Sequence, residues 1–582
     1  MQESKLFSKH QSQWTVMAFA ICVAAALLFR HWPNVAAWQL GDNDNFMRLH
    51  QLQVYIQSPS LWLLPLDKFN PQDGQIIHWS RLPDLPILAF YYLFYLVVDS
   101  ELALQLAIAI VPVVYLMVMI ILVAAITENI VGRSSVMLSC FFTVTSLAAL
   151  KCFPGQIDHH NIQLLLFTLF TLAVFSPHIS KSAYVLVVSG TVSVSLLIGL
   201  EVLPFFVLML AGITLNEVIK APHKITWLRE AALSIFLLGS IGLVVLFPPA
   251  QLTAPLYDVI SLPLLGYFLA AWLVLLVTSY RPTVLVLVAT SLVVIPVFYY
   301  FNPEPLASPY QGYPTLLSTL WLEHVTEAKP LVVAFHPSAW SYSQSFFIAA
   351  YLVTLLAPIL SIGFLKTHSQ KLLWMMFAVS LIPALFWQMR TIYFSALLAL
   401  PLQSLLAAAV LQHIKVPIIR LIPVLLLSPM VMAYATFLMT QQPTNTSAKV
   451  ETRYSDGIAF IKQQPIEPAK VFAPMEAGAQ LLSMTDHAII AAPYHRNVRG
   501  NLLYMQVMLT EDLLWAHSAV VKEGISYLYL DVNDKQIPYF GRVMTPDSLL
   551  QRLLNEMPPI WLIPVATSAS GQRLYRVNPH LP

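Results

Sequence analysis

The chain has 582 residues, of which 58% are hydrophobic and 10% charged. Soluble domains carry about 25% charged residues, so a chain this poor in charge cannot cover a water-exposed surface, and lipid must solvate much of it. The formal net charge of +2 offers no sign of a nucleic-acid partner, and none is expected.

Lys5 and Lys9 precede an apolar run from Trp14 to Leu28. Arg30, His31 and Trp32 follow it in place of a small-residue cleavage site, which reads as an uncleaved first span. A spanning helix needs about 20 largely apolar residues. Fourteen segments qualify: 14–29, 84–98, 102–126, 134–150, 161–176, 182–200, 203–219, 230–248, 262–279, 282–300, 344–364, 371–388, 391–412 and 417–440. Polar stretches interrupt them at 30–83 and 301–343. From about 441 the charges return. Ala488-Ile489-Ile490 and Tyr527-Leu528-Tyr529-Leu530 read as strands there, and Thr510 to Val521 as a helix. The expected fold is a polytopic α-helical membrane protein. Its transmembrane domain covers 1–440, and a small soluble α/β domain covers 441–582. Cys22, Cys140 and Cys152 have no metal-ligand spacing and imply no disulfide framework.

Lysine and arginine in short loops set orientation, since such loops stay on the cytoplasmic side. The basic loops hold Arg133, Lys181, Lys220 with Lys224 and Arg229, Arg281, Lys366 with Lys371, and Lys415 with Arg420. With the N-terminus inside and fourteen spans, these loops fall outside; with one early segment removed, all move inside. Segment 84–98 is the one to remove. Its 15 residues reach only about 22 Å as a helix against a core of about 30 Å, and it contains Pro86. Thirteen spans then place the loops 30–101, 151–160 and 301–343 and the tail on the outer face. The expected setting is a bacterial inner membrane, with the N-terminus cytoplasmic and the tail periplasmic.

Charges at membrane segments are costly and usually functional. Gly41-Asp42-Asn43-Asp44-Asn45-Phe46-Met47-Arg48 follows the first span. Asp42 and Asp44 offer hard oxygens to Mg²⁺ or Mn²⁺, or else cap a helix. Gly155-Gln156-Ile157-Asp158-His159-His160-Asn161 precedes a later span. There Asp158 and His160 point at one ion, or Asp158 caps the helix. Glu323 to Pro330 is a charged stretch of the large outer loop, either a site or a solvated surface. Arg390 breaks the positive-inside pattern, as a phosphate ligand or as a snorkelling anchor. Glu201 is a further acid at a membrane edge.

Together these stretches resemble one family, the catalytic subunit of oligosaccharyltransferase, a GT-C membrane glycosyltransferase. Asp44-Asn45-Phe46 is similar to its Asp-x-aromatic motif. Phe69-Asn70-Pro71-Gln72-Asp73-Gly74 followed by His78-Trp79-Ser80-Arg81-Leu82 resembles its proline-glycine stretch and tryptophan. Asp158-His159-His160 resembles the archaeal form of its second acidic motif. His324-Val325-Thr326-Glu327-Ala328-Lys329-Pro330 is similar to its Ser/Thr-x-Glu loop, and Arg390 to its donor-phosphate arginine. One motif departs. Where the family has Trp-Trp-Asp-Tyr-Gly, which reads the Ser/Thr of an acceptor sequon, this chain has Pro474-Met475-Glu476-Ala477-Gly478-Ala479-Gln480.

The resemblance implies transfer of a sugar or oligosaccharide from a polyprenyl phosphate or diphosphate on the outer face, with inversion. It implies a divalent cation, Mg²⁺ or Mn²⁺, held by Asp44, Asp158 and His160. Arg390 and His159 would meet the donor phosphate. Asp44, Asp42 and Glu327 would serve the acceptor, which is a protein, a lipid or a polysaccharide. The altered tail motif keeps open a lipid-monophosphate-sugar transferase that modifies a lipid or polysaccharide. A transporter of lipid-linked glycans is the reading from another class. Transporters commonly carry internal repeats and midplane charges. Here no clear repeat is visible and the charges gather at one face.

Overall fold

The computed structural model describes residues 9–70, 72, 74–252, 258–303, 310, 312–335, 342–440 and 453–581. Lys5, Pro71 and Asp73, parts of the 301–343 loop, and the expected boundary at 440/441 from its second residue on lie outside the described residues. The chain divides into two compact units. The first holds Met1–Trp38, Trp79–Pro309 and Glu327–Gln442, and the second Gln39–His78, Tyr310–Thr326 and Pro443–Pro582.

The first unit is an α-helical membrane bundle. Among the described residues, ten helices are long and apolar enough to cross a membrane, and the pair Ile418–Leu426 with Pro429–Met439 makes an eleventh if counted as one span. Two shorter apolar helices, Arg133–Val144 and His160–Phe175, accompany them. Lipid is visibly the intended solvent. The Val284–Phe301 helix is apolar all round, yet none of its residues is buried against protein. Segment 84–98 forms a helix over Asp84–Tyr95, whose 12 residues reach about 18 Å and fall short of the core. Its first residue, Asp84, is fully buried and pairs with Arg81 at 3.2 Å.

The 417–440 segment, read in the sequence as one span, is bent by 89° at its break. The reason is local. Pro429 has no N–H to give, and a proline pushes the residue before it out of helical geometry. The Met430 N–H donates instead to Thr145 O at 2.9 Å, which gives the first turn after the bend a partner outside its own helix.

The second unit is built on a five-stranded mixed sheet. Its strands are β1 (Lys470–Phe472), β2 (Ala488–Ile489), β3 (Tyr527–Asp531), β4 (Leu562–Thr567) and β5 (Gln572–Val577). Their order is β2-β1-β3-β5-β4. β1 runs parallel to β2 and β3, while β5 is antiparallel to β3 and β4. Both outer segments of this unit join the sheet domain. Ile489 exchanges backbone bonds with Lys68 and Asn70, each 2.8 Å long, which extends the sheet beyond β2. Leu317, Leu320 and Trp321 pack into the same apolar core as Phe472, Met505, Leu528 and Trp561.

The stretch that departs from the family's tryptophan motif opens the helix Met475–Met484. Gly478 is required there by close approach, because a Cβ on it would meet Ala491 O at 2.1 Å. Gly478→Ala therefore forces this helix off the β2 end, at a cost of about 1–3 kcal/mol typical of overpacking. Pulse proteolysis of the tail should show it as a lower unfolding midpoint.

Candidate active site in the helical unit

Gly155 adopts φ 85°, which favours glycine. Its N–H donates to Ile108 O at 3.1 Å, pinning the turn after Cys152 to the long helix Ser100–Ile130. That turn delivers Asp158, His159 and His160 to the start of the helix His160–Phe175, all buried. The two oxygens of Asp158 divide between the imidazoles: Oδ1 lies 2.6 Å from His159 Nδ1, and Oδ2 meets His160 Nδ1. Glu201 closes the other side. It stands in a short turn after the helix Lys181–Ile198, with Oε1 2.5 Å from His159 Nε2 and 3.9 Å from His160 Nε2. The Trp79 ring covers His159 at 5.2 Å between centroids.

Burial opposes a charged carboxylate at Asp158, but the two imidazoles outweigh it and hold the acid well below the usual range. Burial likewise opposes charge on His159. The acids Asp158 and Glu201 on either side prevail and push its pKa up to about 9.

Two further cations belong to this unit. Lys151, only 14% exposed, sits 4.0 Å from Asp158 Oδ2 and over the Tyr393 ring at 5.6 Å. Arg390 Nε donates to Gln388 Oε1 at 2.9 Å, and its Nη1 lies 3.9 Å from Glu327 Oε1. Glu327 is about half exposed, and the loop is tied down beside it by Met389 N–H donating to Lys329 O at 2.6 Å.

The structure thus groups Asp158, His159 and His160 with Glu201, and pairs Arg390 with Glu327 near enough for its charge to act on Glu201 as well. Asp42 and Asp44 lie in the second unit. Asp42 caps the helix Asn43–Gln57, its Oδ1 accepting from the Asn45 N–H at 3.0 Å. Asp44 stands in the first turn of that helix. Between them Asn43 donates to Glu476 Oε2 at 2.8 Å, and Tyr494 OH donates to Asn43 O at 2.9 Å. Sequence reasoning missed Lys151 and the pairing of Glu201 with His159. Lys151 carried a signal, because it breaks the positive-inside pattern just as Arg390 does. Glu201 lies 42 residues from His159, and no spacing rule joins them.

The residues suit a divalent cation. One ligand atom from each of Asp158, His159 and His160 lies within 4.8 Å of the others. His160 Nε2 is buried without a hydrogen-bond partner among the described residues. Imidazole with carboxylate is a mixed donor set, which Mn²⁺ accepts more readily than Mg²⁺.

The chain has the GT-C-like fold of the archaeal oligosaccharyltransferases. Among the solved structures that match it are these three from Archaeoglobus fulgidus. The oligosaccharyltransferase AglB in complex with an inhibitory peptide and a dolichol-phosphate is 14% identical, with a TM-score of 0.65 over 97% of this chain and 74% of that one. The apo form of the oligosaccharyltransferase is 15% identical, with a TM-score of 0.66 over 100% and 76%. Its complex with Zn and sulfate is 16% identical, with a TM-score of 0.60 over 96% and 72%. No protein-family profile and no curated protein sequence matches the chain.

Proposed function

We propose that the protein is a membrane glycosyltransferase. It moves a sugar or oligosaccharide from a polyprenyl phosphate or diphosphate to an acceptor on the outer face of a bacterial inner membrane. The observation that carries this reading is the buried Asp158–His159–His160–Glu201 cluster with Lys151 beside it, in a fold shared with an enzyme solved with dolichol-phosphate.

In the reaction the acceptor nucleophile attacks the anomeric carbon, and the bond to the phosphate oxygen breaks. Direct attack inverts the configuration. Negative charge grows on the departing lipid phosphate, and Lys151 and Arg390 stabilise it through charge-assisted bonds. A divalent cation bound by Asp158 and His160 would supply further neutralisation of that phosphate. His159 is engaged by acids on both ring nitrogens, which supports an orienting role for it, with the phosphate contacts left to the two cations. Asp44 and Asp42 enter through their motif alone, Asp44 as a further ligand and either acid as the group facing the acceptor. Glu327, beside Arg390, orients the acceptor.

Mass analysis of the lipid left after incubation with a labelled donor in proteoliposomes tests the reading. A glycosyltransferase leaves polyprenyl phosphate or diphosphate stripped of sugar, and the product mass names the donor class. Intact glycolipid equilibrated across the bilayer would instead identify a transporter.

Glu201 would act on a metal at Asp158 and His160 only indirectly, because it holds His159, which in turn meets Asp158 Oδ1. Glu201→Gln should raise the Mn²⁺ concentration needed for half-maximal transfer by up to roughly 10-fold, the low end of the range for loss of an outer-shell partner of a metal site. Saturating Mn²⁺ should restore most of the rate.

A further inference from the structure

The second unit holds a buried acidic crevice that the proposed chemistry does not use. β1 lies between β2 and β3, so the chain leaves β1 toward one side and returns to the sheet on the other. Parallel strands arranged in this way open a crevice at their carboxyl ends, the usual ligand position in α/β sheets. Here that position is acidic. Glu476 stands in the first turn of the helix that follows β1, Asp531 ends β3, and Asp534 follows three residues later. The Asp534 N–H donates to Asp531 O at 3.0 Å, which folds both acids into one tight turn.

Each acid is satisfied on one oxygen. Asp531 Oδ1 accepts from the Asn533 N–H at 2.9 Å, and Asp534 Oδ1 from the Gln536 N–H at 2.6 Å. The Oδ2 atoms of both have no hydrogen-bond partner among the described residues. Both side chains are deeply buried, at 1% and 6% exposure. Gln536 supplies an independent sign. It is 5% exposed and turns its Nε2 toward Met475 Sδ at 3.9 Å, next to Glu476, which leaves its Oε1 unpartnered.

Buried acceptors without a donor are costly. Lys535 attracts Asp534 and Glu476 but cannot balance three acids, and water brings no charge to make up the difference. The unpartnered groups are all oxygens, with no imidazole or thiolate, and Ca²⁺ prefers such a set and tolerates irregular geometry better than Mg²⁺. We infer that the crevice between β1 and β3 is a calcium-type divalent cation site, with Asp531, Asp534 and Gln536 as ligands and Glu476 at its edge. The cation ties the loop after β3 to the start of the helix after β1, where the chain departs from the family's acceptor-reading motif. This inference does not rest on the glycosyltransferase reading.

The test is a titration of EDTA-stripped full-length protein in detergent with Ca²⁺, followed by calorimetry. The Asp158→Ala variant is measured in parallel to remove the cluster in the helical unit. One Ca²⁺ per chain should bind in wild type and in Asp158→Ala. Asp531→Asn and Gln536→Leu should each bind it roughly tenfold or more weakly. Gln536→Leu changes no charge and keeps the test valid if Asp531→Asn does not fold. Absence of Ca²⁺ binding in Asp158→Ala, or wild-type affinity in Gln536→Leu, overturns the inference.

Discussion

Asp158→Ala should reduce glycan transfer about a thousandfold or more, a loss near 4 kcal/mol, while the protein still inserts in the membrane. This one carboxylate holds His159 and His160 by separate oxygens and sits 4.0 Å from Lys151. Its removal leaves the imidazoles without the acid that fixes their rings, and it removes a ligand from the proposed metal position. Asp158→Asn keeps the shape but not the charge and should fall nearly as far. Initial rates with a saturating lipid donor measure the effect. Size-exclusion profiles in detergent show whether the fold survives. A variant that folds and transfers at the wild-type rate would remove the cluster from the mechanism.

Arg390→Ala should lower kcat/KM by roughly 10²–10³, the range for losing a preorganised donor to a developing oxyanion. The guanidinium is placed by Gln388 at 2.9 Å and only loosely by Glu327 at 3.9 Å. Its planar fork can pair two phosphate oxygens, and a lysine ammonium cannot match that geometry. Arg390→Lys should therefore recover part of the rate and stay below wild type. If Arg390 only anchors the helix end, both variants keep full kcat/KM, so the lysine exchange separates binding from anchoring.

Much of the helical unit is legible in the sequence, because a 3.6-residue helix in lipid needs little beyond apolar length. Segment 182–200 becomes Lys181–Ile198, and 262–279 becomes Leu262–Tyr280. The misjudged ends have physical causes. The helix expected at 230–248 begins at Ile225, because Arg229 and Glu230 lie inside it and find partners: Lys181 meets Glu230 at 2.5 Å and Arg229 meets Ser279 at 3.2 Å. Local composition shows the charges but not the partners that accommodate them. The β4–β5 hairpin is hidden for another reason. Pro564 reads against a strand, and β4 tolerates it because it lies at the sheet edge.

The site divides in the same way. Asp158, His159 and His160 are adjacent in the chain, so their convergence is readable from spacing. Glu201 reaches His159 only because two helices pack side by side, a contact that no spacing encodes. Asp42 shows the reverse case, since both of its possible roles were visible and the structure finds it capping a helix.

The most direct test of the central claim is a cryo-EM map of the protein with Mn²⁺ and a polyprenyl phosphate. The account predicts metal density against Asp158 and His160, with the lipid phosphate reaching Lys151 and Arg390. A well-resolved cluster that holds no metal while the lipid phosphate binds elsewhere would contradict it.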